Sequence, residues 1–324
     1  MQRLSGGAHV GDNADMPSAS AAGLTSIVVV VADSGGDALT CVEAALASSV
    51  AVELIVVDNA SRDGLPEALA CACAGDARVR LLRNGANLGF GAAVNRGAAL
   101  AQGDALLVLN PDCRLERDSV ARLRAELAAQ PRAGLVGAVV CGVDGRPDRN
   151  ALRRDPLLAR ALTTLRARAL GRADAAAPGG VHVEGPMPAT SVAVEAVSGA
   201  LMLLPKAVFE AVGGFDEGYF LHCEDLDLCR RVRDAGHVVL LAGDVRVLHA
   251  GGGSSRRRPL FVSWHKHRGM WRWFRRFDPA ARRPQLAAAV WLGLWVHFAL
   301  TAPRLAWSGW RARRRPRAAL SDSG

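Results

Sequence analysis

Tryptophan is absent from the first 263 residues of this 324-residue chain, tyrosine occurs once, and only two acidic residues lie beyond position 255. All seven tryptophans (Trp264, Trp271, Trp273, Trp291, Trp295, Trp307, Trp310) therefore fall in the last 69 residues. Sixteen Lys and Arg stand there against Asp278 and Asp322, a formal charge of +14, which leaves −5 on residues 1–255 of a chain whose total is +9. The chain reads as an acidic body with a basic, aromatic extension, divided near Gly253–Arg258. Residues 1–23 contain no apolar stretch, which argues against a secretory signal there and predicts a disordered leader. The seven cysteines lack the paired, repeated spacing of a zinc site and read as buried, reduced thiols of a cytoplasmic protein. No internal repeat is present. With half of its residues apolar, the chain can bury one large core or two moderate ones, which excludes a disordered protein.

Strands and helices alternate through the first 130 residues. Ile27–Val31 and Leu54–Val57 are unbroken apolar runs, the mark of strands buried on both faces of a parallel sheet. Val79–Leu82 and Ala105–Leu109 complete a set of four strands. Helical spacing occupies Ala38–Ser48, Leu65–Cys73, Gly91–Gln102 and Asp118–Ala129. This order predicts βαβ units and an α/β, doubly wound sheet. Ligands in such sheets bind beyond the carboxyl ends of the strands, where Asp58, Asn59, Asn110 and Asp112 cluster. Each of these taken alone is also an ordinary turn residue. Residues 145–190 are rich in Arg, Ala, Pro and Gly. They predict a basic helix over Leu157–Leu170 and an extended loop over Pro178–Thr190 of the kind that often serves binding.

The richest segment is Ser198–Ser255. It holds Ser198-Gly199-Ala200, an apolar strand Leu201–Leu204, Gly213-Gly214-Phe215-Asp216, Tyr219-Phe220 and Glu224-Asp225-Leu226-Asp227. A further strand ends in His249, followed by Gly251-Gly252-Gly253-Ser254. Three carboxylates in four residues exceed what a helix dipole asks of an acidic first turn. Asp227 and Arg231, at i and i+4, predict a supporting ion pair. His249 is either structural or a ligand, and the glycines after it offer backbone N–H groups to a diphosphate.

Together with Asn87-Leu88-Gly89-Phe90-Gly91, Asn95-Arg96-Gly97 and Asn110-Pro111-Asp112, these motifs resemble the inverting glycosyltransferases of family 2, and within them the rhamnosyltransferase-like branch. The resemblance covers about residues 24–255. It implies a GT-A fold: a Rossmann-like nucleotide-binding unit with a mixed, mostly parallel sheet and flanking helices, here followed by a basic helical C-terminal extension over 256–324. It implies a nucleotide-sugar donor, dTDP-L-rhamnose being the expected one, and a cell-envelope glycan or polyprenyl-diphosphate-linked acceptor. Asp58 would meet the pyrimidine, with Asn59, Asn87, Gly89, Gly91, Asn95, Asn110, Ser198 and Gly199 around the nucleotide sugar. Asp112 and His249 would hold Mg²⁺ or Mn²⁺. Asp225 would be the base, with Asp216, Glu224, Asp227 and Arg231 on the acceptor or supporting side. A free aspartate has a pKa of about 3.9, so position matters more than basicity for that role. Two departures stand out: Asn110 replaces the first aspartate of the family's Asp-x-Asp, and Ala32-Asp33-Ser34 replaces its usual Thr-Tyr-Asn. The rival readings are a sugar nucleotidyltransferase, whose basic Gly-rich signature Asp33-Ser34-Gly35-Gly36 lacks, and a non-catalytic sugar-binding or scaffold protein.

Pro284–Pro303 is a 20-residue stretch without charge between Arg283 and Arg304, borderline for a membrane span. Trp291 and Trp295 share one helical face. Arginine with tryptophan suits a helix lying in the headgroup region, and Arg256–Arg276 with Trp264, Trp271 and Trp273 would form a second such stretch. The expectation is a peripheral protein on an anionic membrane, at the inner face of the plasma membrane, with a single C-terminal span as the alternative. No nucleic-acid motif accompanies the basic tail, so no nucleic acid is expected as a partner.

Overall fold

The computed structural model describes residues 21–148, 151–169, 181, 183, 186–249 and 258–314. The apolar runs become the centre of the sheet. Strand β1 (Ala21–Val31) is followed by α1 (Asp37–Leu46), β2 (Val52–Asp58), α2 (Leu65–Ala72), β3 (Val79–Arg83), α3 (Phe90–Ala98) and β4 (Gly103–Leu109). Next come β5 (Cys113–Arg114), α4 (Ser119–Ala129), β6 (Ala133–Cys141), β7 (Leu152–Arg153), α5 (Leu158–Ala169), β8 (Val192–Ala193), β9 (Ala196–Val197) and β10 (Leu201–Pro205). The chain continues through α6 (Lys206–Ala211), α7 (Glu224–Asp234) and β11 (Val238–His249), then α8 (Pro259–Phe277), a 3-10 turn at Pro279–Arg282 and α9 (Pro284–Arg314).

The main sheet runs β3-β2-β1-β4-β10-β6-β11-β5, with β8 also on β11. β1 pairs in parallel with β2 and β4, β2 with β3, and β6 with β11, while β10, β5 and β8 run antiparallel to their neighbours. The sheet is thus mixed and mostly parallel, as expected. Successive residues of a strand face opposite sides, so Ile27, Val29 and Val31 enter one core with α1 and α2, while Val28 and Val30 enter the other with α3 and α7.

Several expectations are corrected here. The helix expected over Gly91–Gln102 ends at Ala98, because β4 already starts at Gly103. β1 begins at Ala21, inside the stretch expected to be a leader; residues 1–20 lie outside the described residues, as do Gly251–Ser254 and part of the loop expected at Pro178–Thr190. All seven cysteines are free, but Cys71 is exposed and Cys73 half-buried. The boundary expected at 255/256 does not coincide with a break in packing. Trp273 of α8 is fully buried in the α3–α7 core beside Phe215, Tyr219 and Leu226. That tryptophan belongs to the body and is not available to a membrane.

α9 folds back antiparallel along α8. His297 pairs with His267 at 3.0 Å, Trp295 packs on Trp264 at 4.7 Å between ring centroids, and a Cβ on Gly309 would lie 3.1 Å from Pro259 near the start of α8. The outward face of this hairpin exposes Trp291, Leu292, Val296, Leu300, Trp307 and Trp310.

Candidate active site

β4 ends at Leu109 and delivers Asn110 and Asp112 into the turn that leads to β5. Because Cys113 of β5 pairs with His249 at the end of β11, the histidine is brought beside that turn. His249 Nε2 lies 3.0 Å from Asp112 Oδ1 and 3.4 Å from Asn110 Nδ2. Burial opposes the imidazolium, but the hydrogen bond and charge of Asp112, with Asp148 behind it, raise the His249 pKa above its ordinary 6.5.

The pair suits a hard divalent cation. An octahedral ion with bonds of about 2.1 Å sets adjacent ligand atoms about 3 Å apart, which is the His249–Asp112 separation. With one carboxylate and one imidazole, a bound cation would have room for phosphate oxygens and water. Cys113 Sγ lies within 4.8 Å of the ligand atoms, yet burial pushes its thiol well above the ordinary range and it donates to the carbonyl of Ala200. It therefore remains a thiol, and the donor set reduces to Asp112 and His249, with Asn110 beside them.

Ser198-Gly199-Ala200 joins this end of the site to the acidic motif. Asn110 N–H donates to Ala200 C=O at 2.9 Å, and Gly199 N–H donates to Asp225 Oδ2 at 3.1 Å. A Cβ at position 199 would lie 3.0 Å from that of Asp225, so glycine lets the backbone touch the carboxylate. Asp225 opens α7, and its Oδ1 accepts the Leu226 N–H at 2.8 Å. His222 and Cys223, just before α7, both have left-handed backbones, with φ of 67° and 71°. Such conformations are costly for residues with a Cβ and concentrate at functional sites. Burial opposes the Asp225 carboxylate, but Arg153, which forms a short ion pair with it, and the two backbone N–H groups hold its pKa below the usual range. Glu224 is fully enclosed next to this charge, and burial and Asp225 both raise its pKa. Arg153 was not legible as a site residue: it lies in the Arg-rich insertion, 72 positions from Asp225.

At the nucleotide end, Asp58 finishes β2, is almost fully buried, and accepts the Ser61 N–H at 2.9 Å. Asn59 and Asn95, expected around the nucleotide sugar, are engaged with the protein itself. The Asn59 amide donates to Asn87 Oδ1 and Gly89 C=O and accepts from Asn84 Nδ2 and the Leu88 N–H, which fills its capacity. It holds the 84–89 loop in shape. Asn95 clamps α3 to the Phe215 turn, donating to Phe215 C=O and Glu217 and accepting from the Phe215 N–H. Gly89, at φ 88°, is needed because a Cβ would lie 2.5 Å from the Phe220 carbonyl, and one at Gly91 would lie 2.9 Å from the Phe215 side chain. These glycines serve internal packing.

The expected Asp227–Arg231 pair is present at 2.6 Å, and Arg276 of α8 reaches the other Asp227 oxygen at 3.1 Å. Asp216, expected in a turn or at the acceptor, receives Arg272 at 2.8 Å and Arg276 at 2.7 Å. Its carboxylate anchors α8. α8 also seats His265 on the Phe220 ring at 4.4 Å and Gly269 against the carbonyl of the strained His222. The first tail helix is thus a wall of the site.

Residues 26–180 match Glycosyl transferase family 2. An N-acetylglucosaminyl-diphospho-decaprenol L-rhamnosyltransferase of Mycobacterium tuberculosis is 33% identical over 265 residues, covering 70% of this chain and 79% of that protein. The chain belongs to glycosyl transferase family 2. It is a glycosyltransferase of the rhamnosyltransferase-like kind, which sets aside the nucleotidyltransferase and non-catalytic readings. Two solved structures share its fold. A mannosyltransferase from Pyrobaculum calidifontis, in complex with GDP-Man and Mn²⁺, aligns with a TM-score of 0.54 at 18% identity over 90% of this glycosyltransferase and 75% of its own chain. GalNAc-T7 with UDP, GalNAc and Mn²⁺ aligns with a TM-score of 0.56 at 18% identity, over 78% of this chain and 47% of that one.

Proposed function

We propose that this glycosyltransferase moves L-rhamnose from dTDP-L-rhamnose, with inversion, to a hydroxyl of a prenyl-diphosphate-linked N-acetylglucosamine at a membrane surface. The observation that carries the chemistry is the Ser198–Ala200 segment, which is hydrogen-bonded to Asn110 on one side and to the Asp225 carboxylate on the other. A diphosphate-binding end and a base thus share one rigid support. The relative from Mycobacterium tuberculosis supplies the sugar and the acceptor class.

Asp112 and His249 would hold a divalent cation, which when bound neutralises charge on the departing diphosphate. Asp58 would meet the edge of the base. Asp225 receives the acceptor proton as attack makes that oxygen acidic; Asp216, Asp227 and Arg231 keep α7 and α8 in place around it. The α8–α9 hairpin supplies the membrane contact. Pro284–Arg311 has the length and composition to cross a bilayer, and only 6% of its most apolar window is buried. α9 nevertheless runs along α8, which is itself packed into the body, and this supports a helix lying on the surface. Its exposed tryptophans and flanking arginines suit an anionic interface facing the cytoplasm.

The test is a direct assay. Purified full-length protein, Mg²⁺ or Mn²⁺, and prenyl-diphosphate-linked N-acetylglucosamine are incubated with a panel of nucleotide sugars. A rhamnosylated lipid formed from dTDP-L-rhamnose is the expected product; transfer from another donor with none from dTDP-L-rhamnose would overturn the sugar assignment.

A further inference from the structure

The Asp225 carboxylate has four lone-pair positions, and among the described residues three of them are filled. Oδ2 accepts from Gly199 N–H at 3.1 Å and from Arg153 Nη2; Oδ1 accepts from Leu226 N–H at 2.8 Å. One position on Oδ1 remains. Arg153 is itself fixed. The same Nη2 donates to Val197 C=O at 2.9 Å, and β7 carries the arginine in register with β9, Leu152 opposite Val197. Two residues on, buried Asp155 receives Arg230 at 3.2 Å and Arg233 at 2.6 Å, which pins this stretch to α7. The arginine and the aspartate are thus locked to one another through two independent attachments of the insertion.

We infer that Arg153 is a positioning residue for transfer: it occupies Oδ2 of Asp225, so that the acceptor hydroxyl meets only Oδ1. This rests on the reading of Asp225 as the base. In that step the acceptor oxygen forms its bond to the anomeric carbon as the bond from that carbon to the diphosphate oxygen breaks. The electron pair leaves with the diphosphate, and the acceptor proton passes to Oδ1. Without Arg153, the buried carboxylate would hold a proton at higher pH, and either oxygen would be free to turn toward the substrate.

Other charged and titratable groups also bear on Asp225. Glu224 and Cys229 lie on its own helix, with His222 and Cys223 in the preceding turn, and Lys266 of α8 acts on that turn. Among the described residues, Arg153 is the group in direct ionic contact with Asp225.

The experiment compares Arg153→Gln, Arg153→Lys, Asp225→Asn and the double variant Arg153→Gln/Asp225→Asn. Each is read by donor affinity, thermal stability and the pH profile of kcat at saturating donor and divalent cation, where ligation keeps His249 deprotonated. In Arg153→Gln the acid limb of kcat should move upward by about 1–3 pH units, with donor affinity within a few-fold of wild type. Arg153→Lys keeps the charge but not the fork, so its limb should stay acidic while kcat falls. A folded Arg153→Gln with the wild-type limb and kcat within twofold would overturn the inference. If Arg153→Gln does not fold, recovery of folding in the double variant would show the unpaired carboxylate to be the cause and support it. Failure of both to fold would make Arg153 structural and overturn it. An active Asp225→Asn would instead sink the base assignment itself, whatever Arg153 does.

Discussion

Gly199 donates its backbone N–H to Asp225 at 3.1 Å, and a methyl group on its α-carbon would lie 3.0 Å from the Asp225 Cβ and 3.2 Å from Oδ2. Gly199→Ala should therefore push Asp225 out of line without unfolding the sheet. We expect kcat to fall by about 10²-fold, the scale of a misplaced reactive group, with a melting temperature near that of wild type. Unchanged turnover would show that the contact is irrelevant to catalysis.

Asp225→Asn keeps the shape and removes the proton acceptor. Transfer should drop by about 10²–10⁴-fold, while donor affinity stays within a few-fold because the proposed role of the aspartate is to take the acceptor proton. Steady-state kinetics combined with calorimetric donor titration separates the two.

Asp112→Ala should weaken donor binding, and chelators should inhibit the wild type; full activity in excess chelator would refute the cation site. The His249 pKa is raised above 6.5 in the protein without metal. Below that raised value the imidazole carries a proton that a cation must displace. Apparent metal affinity should fall about tenfold per pH unit there and level off above it. In His249→Ala that slope should disappear.

Asp216 holds α8 through Arg272 and Arg276. Burial opposes its carboxylate, but Gly218 N–H and the two arginines keep the pKa below the ordinary 3.8. A lowered pKa contributes stability that is present above the unfolded value and lost as pH falls through the folded one. Both arginines are more than 40% exposed, so screening reduces the effect. Asp216→Asn should destabilise the protein at pH 7 by a small amount that shrinks below pH 4; a larger difference at acid pH would contradict the anchor.

The two tail helices should separate by truncation. A chain ending at Ser255 loses Trp273 from the core, a change on the scale of the 3–5 kcal/mol measured for deleting one such side chain, or more; it should be unstable. One ending at Arg283 retains α8 and should bind donor but not anionic vesicles. Full-length protein on such vesicles should be released by about 0.5–1 M salt, where screening lengths fall to a few ångströms. A detergent requirement would instead mean that α9 spans the bilayer.

The sequence by itself determined the sheet and the chemistry of its ends. Unbroken apolar runs at Ile27–Val31 and Leu54–Val57 can only be buried on both faces, and polar residues that follow such strands must emerge at the ligand-binding edge. β6 was not read from the sequence because Gly134 and Gly137 dilute its apolar run; the fold requires them where a Cβ would strike His237 and Val197. Tertiary structure alone decided which polar residues remain free for a substrate. Asn59 looks like a ligand contact until its side-chain hydrogen-bonding capacity is seen to be filled by backbone groups and neighbouring side chains, and Asn95 until its amide is seen to tie α3 to the Phe215 turn. The partner of Asp225 comes from an insertion with weak periodicity, and Trp273 is core rather than membrane anchor. Periodicity reports how deeply a residue is buried, but pairing between residues 72 or 120 positions apart depends on where the chain crosses itself, which no local pattern encodes.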